Sequence, residues 1–445
     1  MTMRKFLSIL LVLFCLQSEA YFSFDRSIIK TVKHGTYEYY FDKFDKVYIS
    51  DIDSVALPVS NDSTLIIPSA CEIDNKTYEV SGIVPYAFRY RKEIKHLILS
   101  EGIEVVKYGC FNKCPNLVSV KFPSTLNSIE NEYRGGIFSY CDKLSRITIN
   151  KNNNIYDARN DCNALIISES NKLIFGCKST IIPSSVETIG KMAFTATSAL
   201  ESIIIPEGVK HIERGAFSRC NNLKKIKLPN SLETLEGGVF GGCTSLKSVF
   251  IPRNVSKIDG DLFAYCHFLK EVKVDRRNKT FDSRKNCNAI IYTAKDSLVA
   301  GCGASIIPEG IKSIGYRAFD GSSIKNIHIP RSVHHIAQEA FSCTTYCNSI
   351  SVDSRNPIYS SPDNCNAIIE TAKNKLIQGC CLTYIPQGIK EIGSYAFFGI
   401  ILHPSFEIPR EVEKIGKYAF DAHSTSHIGA TWEIRYLLEG CNRRD

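Results

Sequence analysis

Three pairs of cysteines stand fifteen residues apart, in DCNALIISESNKLIFGC (161–177), NCNAIIYTAKDSLVAGC (286–302) and NCNAIIETAKNKLIQGC (364–380). Thiols at a fixed interval can form a disulfide, clip a metal, do redox chemistry or fill a core. In each copy two apolar runs flank a polar turn such as Ser168 to Asn171, so the segment reads as a β-hairpin. Folding each hairpin about its midpoint sets Cys162 against Cys177, Cys287 against Cys302 and Cys365 against Cys380. Opposed side chains on paired strands come within ~4.5 to 5.5 Å, which admits a disulfide, and closing such a loop contributes ~3 kcal/mol in the chain-entropy account. Cysteine is equally at home as a small buried apolar residue. Cys220, Cys243 and Cys266 recur every 23 residues where a core ladder would run. Disulfides and buried thiols both remain open on this reading.

Metal and catalytic chemistry are poorly served. The chain has no C-x-x-C, Cys110/Cys114 and Cys343/Cys347 are neighbouring repeat cysteines, and the histidine doublet His334-His335 is isolated from them. No metal or other cofactor is expected. Neither G-x-S-x-G nor H-E-x-x-H occurs, Glu130 and Glu132 read as solvated surface carboxylates, and GGVFGGC (237–243) is not a phosphate loop leading into a helix. The expected catalytic set is none, and the chain does not read as an enzyme. Binding is better served. Lys224, Lys225, Lys227, Lys247, Lys270, Lys273, Arg276 and Arg277 surround Phe250 within some fifty residues, interrupted by Glu271. Such a strip attracts an acidic protein or a sulfated glycan, although a solvated face that keeps a sheet soluble has the same composition.

The elements that position these residues are repeats. Pro183, Pro206, Pro229 and Pro252 follow an Ile or Leu at intervals of 23 residues. A period in the twenties is the mark of a solenoid. In LESIIIPEGVKHIERGAFSRCNN (200–222), Leu200, Ile203 and Ile205 suit a short strand that the proline ends. Val209, Ile212, Ala216 and Phe217 recur at threes and fours, which predicts a helical or 3₁₀ return. The register runs through Pro68, Ser100, Pro123, Asn150, Pro183, Pro206, Pro229, Pro252, Asp275, Pro308, Pro330, Asp353, Pro386 and Pro409, giving fourteen coils. Three of them are 33 residues long and carry the hairpins, with Asn153, Asn278 and Asn356 at matching positions. Asn or Asp replaces the proline there, so the chain is expected to turn outward and project the hairpins as lateral fingers or spacers. The expected fold is an α/β repeat solenoid with a parallel β-sheet, short helical or 3₁₀ returns and three β-hairpin insertions.

The pattern AF-x-x-C-x-x-L-x-x-I-x-I-P, as in AFSRCNNLKKIKLP (216–229), resembles the BspA-like leucine-rich repeat proteins of exported bacterial surfaces, especially those of Bacteroidales. The resemblance covers residues 62–421 and implies adhesion to host or microbial surface proteins or glycans through a repeat face. The wall-sorting motif and terminal anchor of some relatives are not seen, which points away from permanent attachment.

Residues 1–20 have the layout of a secretory signal peptide, with Arg4 and Lys5, an apolar run from Phe6 to Leu16 and small residues at Ser18 and Ala20. Cys15 as a lipid-attachment cysteine is the competing reading, opposed by the bulky Phe14 before it. Residues 21–61 are expected to form an N-terminal β cap and residues 422–445, with Trp432 and Leu437, a C-terminal one. The chain carries +8, or +7 without the first twenty residues (52 basic against 45 acidic), too little for its length to suggest nucleic acid. The reading is an exported noncatalytic binding protein, at the cell surface, secreted or periplasmic, with no membrane-spanning segment after the signal. The alternatives are a structural envelope protein, a nutrient-capture component, or an enzyme whose site lies outside the repeats.

Overall fold

The computed structural model describes residues 28–44, 46–52, 55–130 and 136–420. The expected signal peptide and C-terminal cap lie outside the described residues. What is described is a β-solenoid. One parallel ladder is built from strands that end at the coil proline, such as Ser202–Ile204 on Lys225–Lys227 and Ser248–Ile251 on Glu271–Val274. Side chains alternate along them, so Ile203, Val249 and Val272 are buried while Ile204, Phe250 and Lys273 face solvent.

The returns differ from the expected helical turns. Two-residue strands, Thr188–Ile189, His211–Ile212, Thr234–Leu235 and Lys257–Ile258, form a second parallel ladder, and the Ala-Phe segments that follow are turns. Each turn holds two residues in the left-handed region, as with Gly215 at φ 63° and Arg219 at φ 58°. A right-handed helix cannot pass through such residues. The freed N–H groups instead bond along the stack, Phe194 to Ala216 O at 2.7 Å and Phe217 to Val239 O at 3.0 Å. The apolar spacing of threes and fours survives because successive turns also bring every third or fourth residue inward. Ring centroids of Phe194, Phe217, Phe240 and Phe263 follow one another at 5.1, 6.2 and 6.1 Å, nearly parallel.

The repeat cysteines serve this ladder. Cys220, Cys243 and Cys266 donate their thiols to the carbonyls of Phe194, Phe217 and Phe240 at 3.0 to 3.1 Å. Each thus fills an apolar site while satisfying a buried backbone acceptor. Burial pushes the Cys220 thiol up to about 12, so these groups stay protonated.

The hairpins form as expected, Ala164–Ile167 with Lys172–Gly176, Ile290–Tyr292 with Ser297–Ala300 and Ala367–Glu370 with Lys375–Gly379. They are not lateral fingers. Their second strands pair in parallel with the next coil's short strand, and Leu165, Ile166 and Leu173 are fully buried. Each hairpin is a wall across the stack, apolar on both sides. This geometry also corrects the disulfide reading. A bulge between Leu165 and Ile166 in the pairing, repeated in the other two hairpins, shifts the register by one residue. Cys162 then packs with Ala164 and Ile166 on one side of the wall, and Cys177 with Leu165 and Phe175 on the other. Cys287 and Cys302, and Cys365 and Cys380, are divided the same way. All sixteen described cysteines are free thiols, and only Cys381 is not buried. Alkylation of the native protein followed by peptide mapping should therefore label Cys381 first among them, with the other fifteen reacting only on unfolding. Six hairpin cysteines left unlabelled after denaturation without reductant would restore the disulfides.

At the N-terminal end, Ile28–His34, Tyr37–Asp42 and Val47–Asp51 make an antiparallel meander whose last strand joins Lys76–Ile83 in parallel. Tyr37, Tyr39, Phe41, Val47 and Ile49 are buried over the first coils. Lys76–Ile83 also pairs with Ala70–Ile73, a hairpin that takes up the extra length between Pro68 and Ser100.

Candidate binding surface

The strip expected from sequence assembles on the solvent face of the strand ladder in three rows. Lys224, Lys247 and Lys270 lie one above another, the Lys270 N–H bonding to Lys247 O at 3.0 Å. Lys225 shares a row with Ser202, Ser248 and Glu271. The third row, two residues before each coil proline or its equivalent, runs Ile204, Lys227, Phe250, Lys273. Arg276 and Arg277 lie beyond the last strand and, with Asp275 and Phe250, line a shallow hollow of about 500 Å³.

The cations are not equivalent. Lys224 pairs with Glu201 at 3.0 Å and Lys273 with Glu271. Arg277 is clasped by Asp275, its Nε and NH2 reaching the carboxylate at 3.0 and 2.8 Å while its backbone N–H donates to the same group. Those hydrogen bonds hold the Asp275 carboxyl at about 2, so the clasp persists at any ordinary pH. Lys225, Lys227, Lys247, Lys270 and Arg276 have no carboxylate at ion-pair distance among the described residues. They carry the unneutralised field of the face.

Sequence reasoning missed the apolar continuation of the third row. Ile181 and Ile204 are 76% and 74% exposed and Ile306 68%, Ile306 lying one layer past Lys273 where it bonds to Cys287 of the second hairpin coil. Fully exposed isoleucines at one register position are a costly way to fill a solvated face. The signal was available, since each stands two residues before a coil proline.

A second concavity lies at the turns. Its members occupy the two left-handed positions flanking each Ala-Phe pair, among them Tyr86, Tyr90, Lys113, Tyr140, Ala196 and Arg219. Elsewhere among the described residues the densest charge cluster is Arg317 with Asp320, Asp261 and Glu339. Burial raises both Asp320 and Asp261, but Arg317 sits among the three carboxylates as their shared counter-ion. No group of three or more His, Cys, Asp or Glu among the described residues is placed to hold a metal, and no helix among them is long and apolar enough to cross a membrane.

Parallel coils of 23 residues, stacked phenylalanines and a buried Leu/Ile ladder define a leucine-rich-repeat solenoid of the strand-rich kind. The chain belongs to the BspA type leucine rich repeat region family, whose pattern matches in six copies over residues 69–166, 175–290, 301–366 and 370–442. No curated protein matches it in sequence. Among solved structures it is similar to a leucine rich cell surface protein from Faecalibacterium prausnitzii, at 20% identity over 94% of this chain and 99% of that one, with a TM-score of 0.46. It is also similar to a leucine-rich repeat protein from Bacteroides ovatus, at 21% identity over 92% and 90% and a TM-score of 0.34. A third is a leucine-rich repeat protein from Eubacterium ventriosum, at 14% identity over 88% and 95% and a TM-score of 0.33.

Proposed function

We propose that this protein is an exported, noncatalytic binding protein that adheres to host or microbial surface macromolecules through the solvent face of its strand ladder. The observation that carries the reading is the exposed row Ile204, Lys227, Phe250, Lys273, with exposed Ile181 and Ile306 at the same repeat position in the hairpin coils that flank it. Unneutralised lysines steer an acidic partner on approach, and the exposed isoleucines and Phe250 supply area to bury once it docks. Contact spread over several coils gives affinity without a deep pocket. The family assignment supports a binding role of this general kind.

The test is surface plasmon resonance against arrayed matrix proteins, glycans and bacterial envelope fractions. A triple variant, Lys227→Glu, Lys247→Glu and Lys270→Glu, should lose roughly tenfold or more in association rate at low salt, as removal of a steering field does. Lys224→Glu, whose partner Glu201 already neutralises it, should lose far less. Saturable binding that the triple variant keeps in full would move the site off this face.

A further inference from the structure

The turn-side concavity points to a ligand of its own. It encloses about 570 Å³, within the ~300 to 1,000 Å³ typical of small-molecule sites. The first hairpin coil contributes no Ala-Phe turn. The turn at Tyr140 bonds directly to the one at Ala196, 56 residues on, its N–H meeting Ala196 O at 3.0 Å. Along the row Tyr90, Lys113, Tyr140, Ala196, Arg219, the one small side chain is Ala196, which is only 2% exposed beneath the Arg219–Tyr140 hydrogen bond that joins its neighbours.

Three cations edge this hollow, Arg89, Lys113 and Arg219, and none has a carboxylate at ion-pair distance among the described residues. Tyrosines hold two of them in place. Arg89 lies 5.5 and 5.1 Å from the ring centroids of Tyr86 and Tyr90, and Lys113 lies 5.0 and 5.7 Å from those of Tyr90 and Tyr140. Cations over ring faces are oriented but not neutralised. The hydroxyl oxygens of Tyr90 and Tyr140 accept from Lys113 at 3.4 Å and Arg219 at 3.3 Å, which leaves both O–H protons for a further acceptor. A ligand that fits must bring negative charge and oxygen acceptors within a compact frame.

We infer that this hollow binds an acidic saccharide, its carboxylate or sulfate lying among Arg89, Lys113 and Arg219 and its ring and hydroxyl oxygens accepting from the tyrosines. The site is at the turns, a different station of the coil from the strand face, and the inference does not depend on adhesion through that face.

Calorimetric titration of the full chain tests it with four probes: a heparin disaccharide carrying sulfate, a hyaluronan tetrasaccharide carrying only carboxylate, neutral cellobiose and a hexaglutamate peptide. One or both acidic saccharides should bind, and cellobiose should bind at least ~30-fold more weakly, about 2 kcal/mol at 1.4 kcal/mol per decade. Whichever acidic sugar binds tighter identifies the anion. Lys113→Ala and Arg219→Ala should each cost roughly tenfold, the loss expected for a charge-assisted hydrogen bond. The double variant Tyr90→Phe and Tyr140→Phe should weaken binding roughly tenfold without touching a charge, by removing both O–H donors. That variant should fold, because phenylalanine keeps both rings and the backbone they sit on. The strand-face triple variant should bind the sugar normally. Equal affinity for cellobiose, tighter binding of hexaglutamate than of either sugar, undiminished binding by the double tyrosine variant, or no heat with any probe at millimolar concentration would each overturn the inference.

Discussion

Asn278→Asp, a change of one side-chain group from NH₂ to O, is expected to destabilise the solenoid by about 2 to 4 kcal/mol, from the cost of ~1 to 3 kcal/mol per buried hydrogen-bonding group left unsatisfied. Asn278 Nδ2 donates to the carbonyls of Pro252 and Val255 in the preceding coil at 2.8 and 2.9 Å. Its Oδ1 accepts from the N–H groups of Thr280 and Phe281, both at 2.8 Å. One amide thus closes the turn that opens the hairpin coil and bolts it to its neighbour. Aspartate keeps the acceptor half and turns an oxygen toward two carbonyl oxygens. Its carboxyl would be raised in the folded state above the unfolded value near 3.9. The ionisation part of the penalty therefore vanishes below that value, where the single O–H replaces one of the two N–H donors, grows as pH rises through it, and is complete above the raised folded value. Asn278→Ala should cost at least as much at every pH, since it also strands Thr280 and Phe281. Asn356 makes the same four bonds and Asn153 five of the same kind, so both should respond alike. Asn152→Asp, on the exposed side of the same turn, is the control and should be near neutral. Unfolding midpoints in urea at pH 7 and pH 4 decide the matter: a penalty that is the same at both would mean that the Nδ2 bonds are not its source.

The positions of these asparagines were legible in the sequence and their purpose was not. A pattern shared by three hairpin coils marks Asn153, Asn278 and Asn356 as fixed. Turn chemistry alone reads them as local, and the bonds to the previous coil appear only when coils are stacked. The repeat period, the strand faces and the hairpins themselves followed from spacing, because side-chain alternation and proline placement are local rules. The returns did not. Gly215 signals a left-handed residue, but Arg219, Lys113, Met192 and Tyr140 occupy equivalent positions with the same backbone, held there by bonds to neighbouring turns. The cysteine pairing failed for a related reason. Counting from a hairpin's midpoint assumes an unbroken ladder, and the bulge at Ile174, Val299 or Ile377 is visible only in the pairing. As for the candidate surface, the charges of the basic strip were found by composition. Which of them are neutralised depends on Glu201 and Asp275, and the turn-side hollow depends on side chains of coils far apart in sequence, such as Arg89 and Arg219.

Gly301→Ala is expected to destabilise by roughly 1 to 3 kcal/mol through overpacking, and the loss should disappear when Phe319 is shortened. A Cβ at Gly301 would lie 2.2 Å from Phe319 Cε1, and the same holds for Gly176 against Phe194 and, at 2.1 Å, for Gly379 against Phe397. These glycines do not have positive φ, so the requirement is for space and not for a special backbone. Each stands at the end of a hairpin's second strand and lets the first phenylalanine beyond the wall lie flat on the chain. That seat restarts the ring stack, which runs from Phe319 to Phe341 at 5.2 Å and from Phe397 to Phe420 at 5.1 Å. Phe319→Ala alone should cost about 3 to 5 kcal/mol, as truncation of a buried aromatic does. In the double variant the added methyl enters the space the ring has left, so the sum should fall short of additivity by ~0.5 to 3 kcal/mol, the range for residues in direct contact. Chemical unfolding of the two single variants and the double one measures that coupling. Strict additivity would mean that the backbone moves aside at Gly301 and that the hairpin wall does not set the position of the turns. A coupling of the expected size would tie the second hairpin to the placement of the turns that follow it, and the equal contacts at Gly176 and Gly379 extend the same expectation to the other two.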